Sequence, residues 1–409
     1  VNILLLSHRI PFPANKGEKI RTYHQLRFLV ERGHRISVLS PIETHEDHDY
    51  GDQLIQQLGI DVRLFPLGPK WPRMAWGLLS GQPLSVTHFY SRSLQRAFDE
   101  ALASQQFDAV ICTSSAMAFY VLHSDSLNAK HRSDRPRLIL DFMDLDSDKW
   151  RQYQARSSQP MAWVYGREAR LLSRLELRCY DVFDECFFIS DNEVALFSTL
   201  LADTGKVSVL GNGLDTQVFY PGPEREDPGH PVFLFTGVMD YKPNVDAVCW
   251  FAEALWESIR SRWPDAEFVI AGMAPAPEVR QLERKPGVTV TGFVDDILPW
   301  YHRADIFVAP FRLARGVQNK ILQALACGLP VVTTSLGLEG ISATPGRDIV
   351  VADDEHGLLA GIAQILDSPE TRRRMADRGP EIIRLDYSWE SRLQGLARAL
   401  ETADLRSGV

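Results

Sequence analysis

The stretch ARGVQNKILQALACGLPVVTT, Ala314 to Thr334, gathers in about twenty residues what a bound phosphate needs. Gly316 can take the positive φ of a sharp turn. A helix opening near Gln318 would present unpaired N–H groups and the positive end of its dipole, both favourable for an anion. Arg315 and Lys320 flank that end with positive charge. Cys327-Gly328-Leu329-Pro330 stops the helix before the apolar run Val331 to Thr334, so the unit reads loop, helix, turn, strand. A nucleoside diphosphate is the natural ligand of such a place. A second polar stretch, LDFMDLDSDKW from Leu140 to Trp150, offers Asp141, Asp144, Asp146 and Asp148 behind an apolar strand. Their spacing fits no calcium loop, and no Cys/His cluster has zinc spacing, so no metal is expected.

The elements around these residues alternate short β-branched runs with helical periodicity, the pattern of βαβ units and parallel sheets. Strands are expected at Val1–Ser7, Arg35–Pro41, Asp61–Leu67, Asp108–Thr113, Arg137–Asp141, Glu185–Ser190 and Val207–Leu210. Helical stretches fall at Glu18–Arg32, Leu94–Ser104 and Met161–Tyr180. The breaker Gly211-Asn212-Gly213 and the Pro- and charge-rich run Tyr220–Pro231 mark a boundary. A second series follows: strands at Val232–Thr236, Phe268–Ala271, Val288–Thr291, Ile306–Ala309, Val331–Thr334 and Ile349–Ala352. Its helices fit Val245–Arg260, Ile297–Ala304, Lys320–Ala326, Gly357–Leu366 and Pro369–Arg384. The fold expected is α/β, two doubly wound Rossmann-like domains, with ligands at the carboxyl ends of the strands in a cleft that both domains face.

Bulk properties narrow the function. The chain has 409 residues, enough for two cores, with 45% hydrophobic and 24% charged residues and a net charge of −9. That balance argues against general nucleic-acid binding. Its five cysteines are scattered through apolar runs, as expected of buried thiols in a reducing compartment. No apolar run approaches the ~20 residues of a membrane helix, and VNILLLSHR is short for a signal peptide. A cytoplasmic protein is expected.

Several stretches together resemble retaining glycosyltransferases of the GT-B fold, the GT4-like group, and within it sugar transferases associated with exopolysaccharide and exosortase (PEP-CTERM) systems. They are HRIPFPANKGEKIRT (His8 to Thr22), VLGNGLDTQVFYP (Val209 to Pro221), FTGVMDYKPNVDAVCWF (Phe235 to Phe251) and GFVDDILPWYHRADIFVAPF (Gly292 to Phe311). The Ala314–Val332 segment and YSWESRL (Tyr387 to Leu393) complete the order. The resemblance implies an acceptor-side domain over residues 1–213, a nucleotide-sugar donor domain over 214–386, and a closing helix over 387–409 that returns to the first domain. It implies a UDP- or GDP-sugar donor, a saccharide or lipid-linked acceptor, and no cofactor.

Carried over residue by residue, the resemblance makes Lys320 and Lys242 the groups that neutralise the diphosphate. Gly237 would let amides approach it. Gly292, Phe293 and Val294 would hold the base, and Asn212 and Gly213 would lie at the cleft floor. Val317, Gln318 and Asn319 belong to the phosphate-binding turn with Gly316. The family's spaced pair of glutamates falls here on Arg315 and Gln323. Gln323 can still bond a ribose, whereas Arg315 has no acceptor to offer. Lys16 and Gly17 would approach the donor from the first domain. Where many relatives have a histidine, Met143 stands; Asp144 is then the expected sugar- or acceptor-facing group, with helix capping by Asp144 or Asp146 as its rival. GPKWPRMAWGLLSGQPLS (Gly68 to Ser85) mixes aromatic and basic residues, either packed on the first domain or resting on the inner face of a membrane. Two other readings stay open: a GT-B sugar-nucleotide epimerase, and a degenerate nucleotide-binding protein without turnover.

Overall fold

The computed structural model describes residues 1–131, 134–223, 229–314 and 316–407. The chain divides into two compact units, Val1–Gly213 with Arg392–Val409, and Leu214–Ser391.

The first unit holds seven strands: β1 (Asn2–Leu6), β2 (Arg35–Ile42), β3 (Asp61–Pro66), β4 (Ala109–Thr113), β5 (Arg137–Met143), β6 (Glu185–Phe188) and β7 (Val207–Val209). They are parallel throughout, in the order β3-β2-β1-β4-β5-β6-β7. Central strands such as β4 (AVICT) are buried on both faces, so their apolar residues run on without alternation. The order reverses between β1 and β4, where Ile3 pairs with Ala109 and Leu6 with Cys112. At such a reversal the two flanking loops turn to opposite faces and leave a crevice at the strand ends.

The second unit repeats the plan with β8 (Val232–Thr236), β9 (Glu267–Ala271), β10 (Val288–Gly292), β11 (Ile306–Ala309), β12 (Val331–Thr333) and β13 (Val350–Val351). Their order is β10-β9-β8-β11-β12-β13, again all parallel, with the reversal between β8 and β11. The core is built on Phe233, Phe235, Phe251, Trp256, Phe268 and Phe307, all nearly inaccessible.

Strand positions follow the sequence expectation to within a residue or two, because β-branched runs between breakers are unambiguous in a parallel sheet. Some helices were not expected. Ser115–Leu122 (SAMAFYVL) is buried on every side, so it carries no amphipathic period to detect. Asp146–Arg156 fails for the opposite reason: only Ser147 in it is buried. The helix expected over Val245–Arg260 begins at Lys242 and is interrupted by a widened turn at Phe251–Leu255. Among the described residues all five cysteines are free thiols, and no helix is long and apolar enough to cross a membrane.

Candidate functional site

The second unit carries a cavity of about 1040 Å³ at the carboxyl ends of β8, β9 and β10, beside the β8/β11 reversal. Its floor is three strand-end loops stitched by backbone hydrogen bonds: Gly237 N–H to Ala271 O (3.1 Å), Gly272 N–H to Gly292 O (3.1 Å) and Met239 N–H to Met273 O (2.8 Å). The approach of the first two loops demands glycine. A Cβ on Gly272 would lie 1.7 Å from the Gly237 carbonyl oxygen, and both residues have positive φ, 149° and 154°.

One wall is the turn Gly316–Gln318 and the helix Asn319–Ala326. Gly316 has φ +68°, and Gln318 Nε2 donates back to its carbonyl (3.0 Å). Gln318 sits at the N-cap in extended conformation with no side-chain cap; the Ile321 amide donates to Gln318 O (2.9 Å), and the Asn319 and Lys320 amides before it are left for a ligand. Lys320, on that first turn, reaches over two aromatic faces, its Nζ 5.0 Å from the Phe311 ring centre and 5.8 Å from that of Phe235. No carboxylate pairs with it among the described residues, and burial lowers its pKa to about 8. A half-desolvated ammonium with only π-faces for company, next to open helix amides, is an electrostatic vacancy for an anion.

Gln323, one turn further, is oriented by a residue that sequence reasoning passed over. The buried Tyr301 hydroxyl, bonded to Thr236 Oγ1 (2.7 Å), donates to Gln323 Oε1 (3.0 Å). The amide therefore offers its Nε2 donor to the cavity, and Oε1, with one of its two lone pairs taken by Tyr301, keeps one acceptor position. Asn244, 3% exposed, donates Nδ2 to Val238 O (2.9 Å) and shapes the same rim.

Phe293, Val294, Val317, Gln318, Asn319, Lys320, Gln323 and Gly237 all border the cavity. Other expectations need correction. The Gly237 amide itself donates to Ala271 O, so the role left to Gly237 is the room that its missing side chain leaves at the cavity wall. Gly292 stands behind the wall, its carbonyl bonded to Gly272. Lys242 opens the helix Lys242–Trp250 with an exposed side chain, and its neighbours Asp240, Tyr241 and Asn244 form the lining instead. Arg315 lies outside the described residues. Arg312 is held by Asp246 (Nε–Oδ2 3.1 Å) and lies over Trp250.

In the first unit the acidic stretch after β5 resolves into separate roles. Asp141, 1% exposed, accepts from Arg21 Nε (2.7 Å) and Nη2 (2.9 Å), from Gln25 Nε2 (2.5 Å) and from the Met143 amide (3.1 Å). Arg21, also 1% exposed, spends its remaining Nη1 on Asn212 Oδ1 (2.9 Å). Asn212 is thus a tie between the helix Gly17–Glu31 and the chain after β7, and Gly213 follows it without a positive φ. Asp148 pairs with Arg151 and Gln152, and Asp146 accepts from Ser115 (3.3 Å). Asp144 alone is exposed. It follows Met143, whose φ of +66° is uncommon for a side-chain-bearing residue. The helix N-cap is Leu145 with no side-chain cap, so the capping rival for Asp144 and Asp146 falls away.

That loop is clamped from beneath. Leu145 N–H donates to Glu193 Oε2 (2.7 Å) and Ser147 N–H to Glu176 Oε1 (2.9 Å). Glu176 is fully buried, and desolvation raises its pKa to about 7. The carboxyl is therefore protonated more readily in the folded than in the unfolded chain. Its stabilising contribution is complete below the unfolded value near 4.5 and is lost as pH rises through about 7. Glu176→Gln should raise the melting temperature at pH 8.5 and leave it nearly unchanged at pH 5, a difference of ~2 kcal/mol. Equal shifts at both pH values in calorimetry would refute this.

The reversal between β1 and β4 presents two further groups without a sequence signal. His8 stands two residues beyond β1, with Nδ1 3.4 Å from Thr113 Oγ1; burial and the neighbouring Arg9 lower its pKa to about 4, so the imidazole is neutral. Ser114 takes φ +82° and its buried hydroxyl has no protein partner. Lys16 and Gly17 open the helix Gly17–Glu31 beside this edge, exposed, with nothing within 4 Å of a Cβ built on Gly17. Among the described residues no three His, Cys, Asp or Glu side chains are grouped to hold a metal ion.

Two consecutive doubly wound units of this kind define the GT-B class of glycosyltransferases, and solved structures agree in fold. HepE of Anabaena, in complex with UDP, superposes with a TM-score of 0.62 at 14% identity over 98% of this chain and 100% of that one. Sucrose-phosphate synthase from Thermosynechococcus elongatus gives 0.56 at 15% identity, covering 99% of each chain. Residues 16–213 match the family model described as glycosyl transferase 4-like domain, and residues 230–368 match glycosyl transferases group 1. The chain is a GT4-like glycosyltransferase. Among curated proteins it is 22% identical to an uncharacterized 44.6 kDa protein in the cps region of Klebsiella pneumoniae, over 86% of this chain and 88% of that protein. It is 29% identical to D-inositol 3-phosphate glycosyltransferase 2 of Catenulispora acidiphila, over 58% of this chain and 59% of that one. It is 28% identical to the lipopolysaccharide core biosynthesis mannosyltransferase LpsB of Rhizobium meliloti, over 39% and 50% respectively. The chain thus spans most of the first relative but only half to three-fifths of the other two.

Proposed function

We propose that the protein is a retaining glycosyltransferase that moves a sugar from a UDP- or GDP-sugar to a saccharide or lipid-linked acceptor in exopolysaccharide assembly. The observation that carries this reading is Lys320: a desolvated cation without a carboxylate, set among uncapped helix amides at the β8/β11 reversal. As the bond from sugar to diphosphate breaks, negative charge grows on the leaving phosphate. A preorganised cation and amides stabilise that charge without reorganising. The base rests against Phe293 and Val294, and Gln323 Nε2 donates to the ribose. HepE, a protein of the same fold, was solved with UDP, which favours a uridine donor.

On the acceptor side Asp144 and His8 are the candidate polar groups. Because Thr113 can give its hydroxyl proton to Leu6 O (3.4 Å), His8 Nδ1–H points at Thr113 Oγ1 and Nε2 is left as an acceptor for a sugar hydroxyl. Lys16 and Gly17 stand exposed at the same edge of the first unit. The Rhizobium relative's printed role in lipopolysaccharide core biosynthesis favours a polysaccharide role over the exosortase association.

The test is calorimetric titration with UDP and GDP, followed by release of free nucleotide from a panel of sugar nucleotides with saccharide acceptors. One nucleotide should bind, and its sugar derivative should turn over. Asp144→Asn should lower turnover at least about tenfold with nucleotide affinity and melting temperature unchanged. Tight nucleotide binding without release from any donor would support the degenerate reading instead, and a product differing from the donor only in sugar configuration would support the epimerase.

A further inference from the structure

The helix Lys70–Leu79 in the first unit is built the wrong way round for a core element. It is seated by its smallest residue: a Cβ on Gly77 would lie 2.5 Å from Thr87 Oγ1 and 3.1 Å from Leu84 Cδ2. Arg167, on the helix Met161–Val182, fastens it by donating to Gly77 O (2.9 Å) and Gln82 O (3.2 Å). Trp76 stacks on Tyr90, with ring centres 5.4 Å apart, whereas Trp71, Leu78 and Leu79 face the other way. Trp71 is 83% exposed, Leu79 90% and Leu78 49%, and with Ala75 they fall at i, i+4, i+7 and i+8, one continuous stripe. Trp163, 61% exposed, stands one turn before Arg167 on the fastening helix and extends the apolar surface.

Charge sets the kind of partner. From Val62 to Phe98 the chain contains no Asp or Glu, yet it holds Arg63, Lys70, Arg73, Arg92 and Arg96, in a protein of net charge −9. Lys70 is exposed and forms no ion pair among the described residues, whereas Arg73 is half-buried, its Nε donating to Gly68 O (3.0 Å) and the Glu43 carboxylate acting on its charge. Exposed tryptophan and leucine beside exposed cations such as Lys70, in a stretch without acids, match the layering of a bilayer surface, where indoles sit at the headgroup level and cations meet anionic phosphates. A protein partner's apolar patch would leave those cations unanswered. We propose that the Trp71–Leu79 face docks on an anionic lipid surface, lying on the bilayer without crossing it.

Co-flotation of the full chain with phosphatidylcholine vesicles, with and without phosphatidylglycerol, tests this. The chain should bind the anionic vesicles, with a blue shift in tryptophan emission, and release in about 0.5 M NaCl. Trp71→Ser with Leu79→Ser should weaken partition at least about tenfold, since two exposed apolar side chains lose their burial in lipid. Lys70→Glu should weaken the preference for anionic lipid. Trp71, Leu79 and Lys70 are exposed, so melting temperatures and nucleotide binding should stay those of the parent. Equal flotation of parent and Trp71/Leu79 variant would overturn the proposal. So would a lipid-free dimer that the same variant dissociates, because a second copy would then be the occupant.

Discussion

Lys320→Ala should lower turnover about 10²- to 10³-fold, the cost of removing one preorganised charge from a developing oxyanion. The fold should not suffer. Burial lowers the Lys320 pKa from 10.5 to about 8, so at neutral pH the folded chain carries an ammonium that it binds less favourably than water does. A depressed lysine pKa contributes stability only above the unfolded value, and that contribution is lost as pH falls through about 8. Deleting the amine should therefore leave the melting temperature of the second unit unchanged or higher, while the diphosphate binds more weakly. The same pKa gives the parent a second signature: diphosphate affinity should fall as pH rises above about 8, and Lys320→Arg should remove that dependence. Paired titrations and kinetics at pH 7 and 9 read both. Full turnover by Lys320→Ala would take the residue out of the mechanism.

Arg21→Ala should have the largest effect on stability, about 3–5 kcal/mol, because it strands Asp141 as a buried carboxylate. Arg21 supplies two of the four hydrogen bonds that Asp141 accepts, and the Asn212 carbonyl loses its donor as well. Gln25 and the Met143 amide cannot balance a full charge away from water. Replacing both members of the pair with apolar residues, Arg21→Met with Asp141→Leu, should recover most of the loss, which separates the stranded charge from mere lost packing. Denaturant unfolding followed in the first unit measures it. A cost below about 1 kcal/mol for Arg21→Ala would mean that water reaches Asp141 and that the network does not hold the β5 edge. The consequence for activity is indirect: Met143, held at positive φ by its bond to Asp141, sets where Asp144 emerges.

The candidate site divides along similar lines. The turn at Gly316 and the lysine four residues on were readable because glycine, helix start and cation are adjacent in the chain. Tyr301 was not, although it orients Gln323, because the two meet only when β8 and β11 pair. Lys242 shows how finely placement matters: it is exposed at the helix start, while the cavity wall beside it is made by Tyr241 and Asn244. Helical rotation of about 100° per residue is enough to convert a candidate ligand into an exposed cation.

By itself the order of residues determined the two doubly wound units, the strand positions and the phosphate-type turn, since each depends on runs of neighbours whose periodicity and breakers are local. Which glycines let loops touch, that Arg21, Asp141 and Asn212 form one buried network, and that the helix after Pro69 turns its tryptophan outward were decided only in three dimensions. Those features rest on contacts between segments up to 191 positions apart, and a desolvated charge or an uncovered apolar face exists only once the surrounding atoms have been placed.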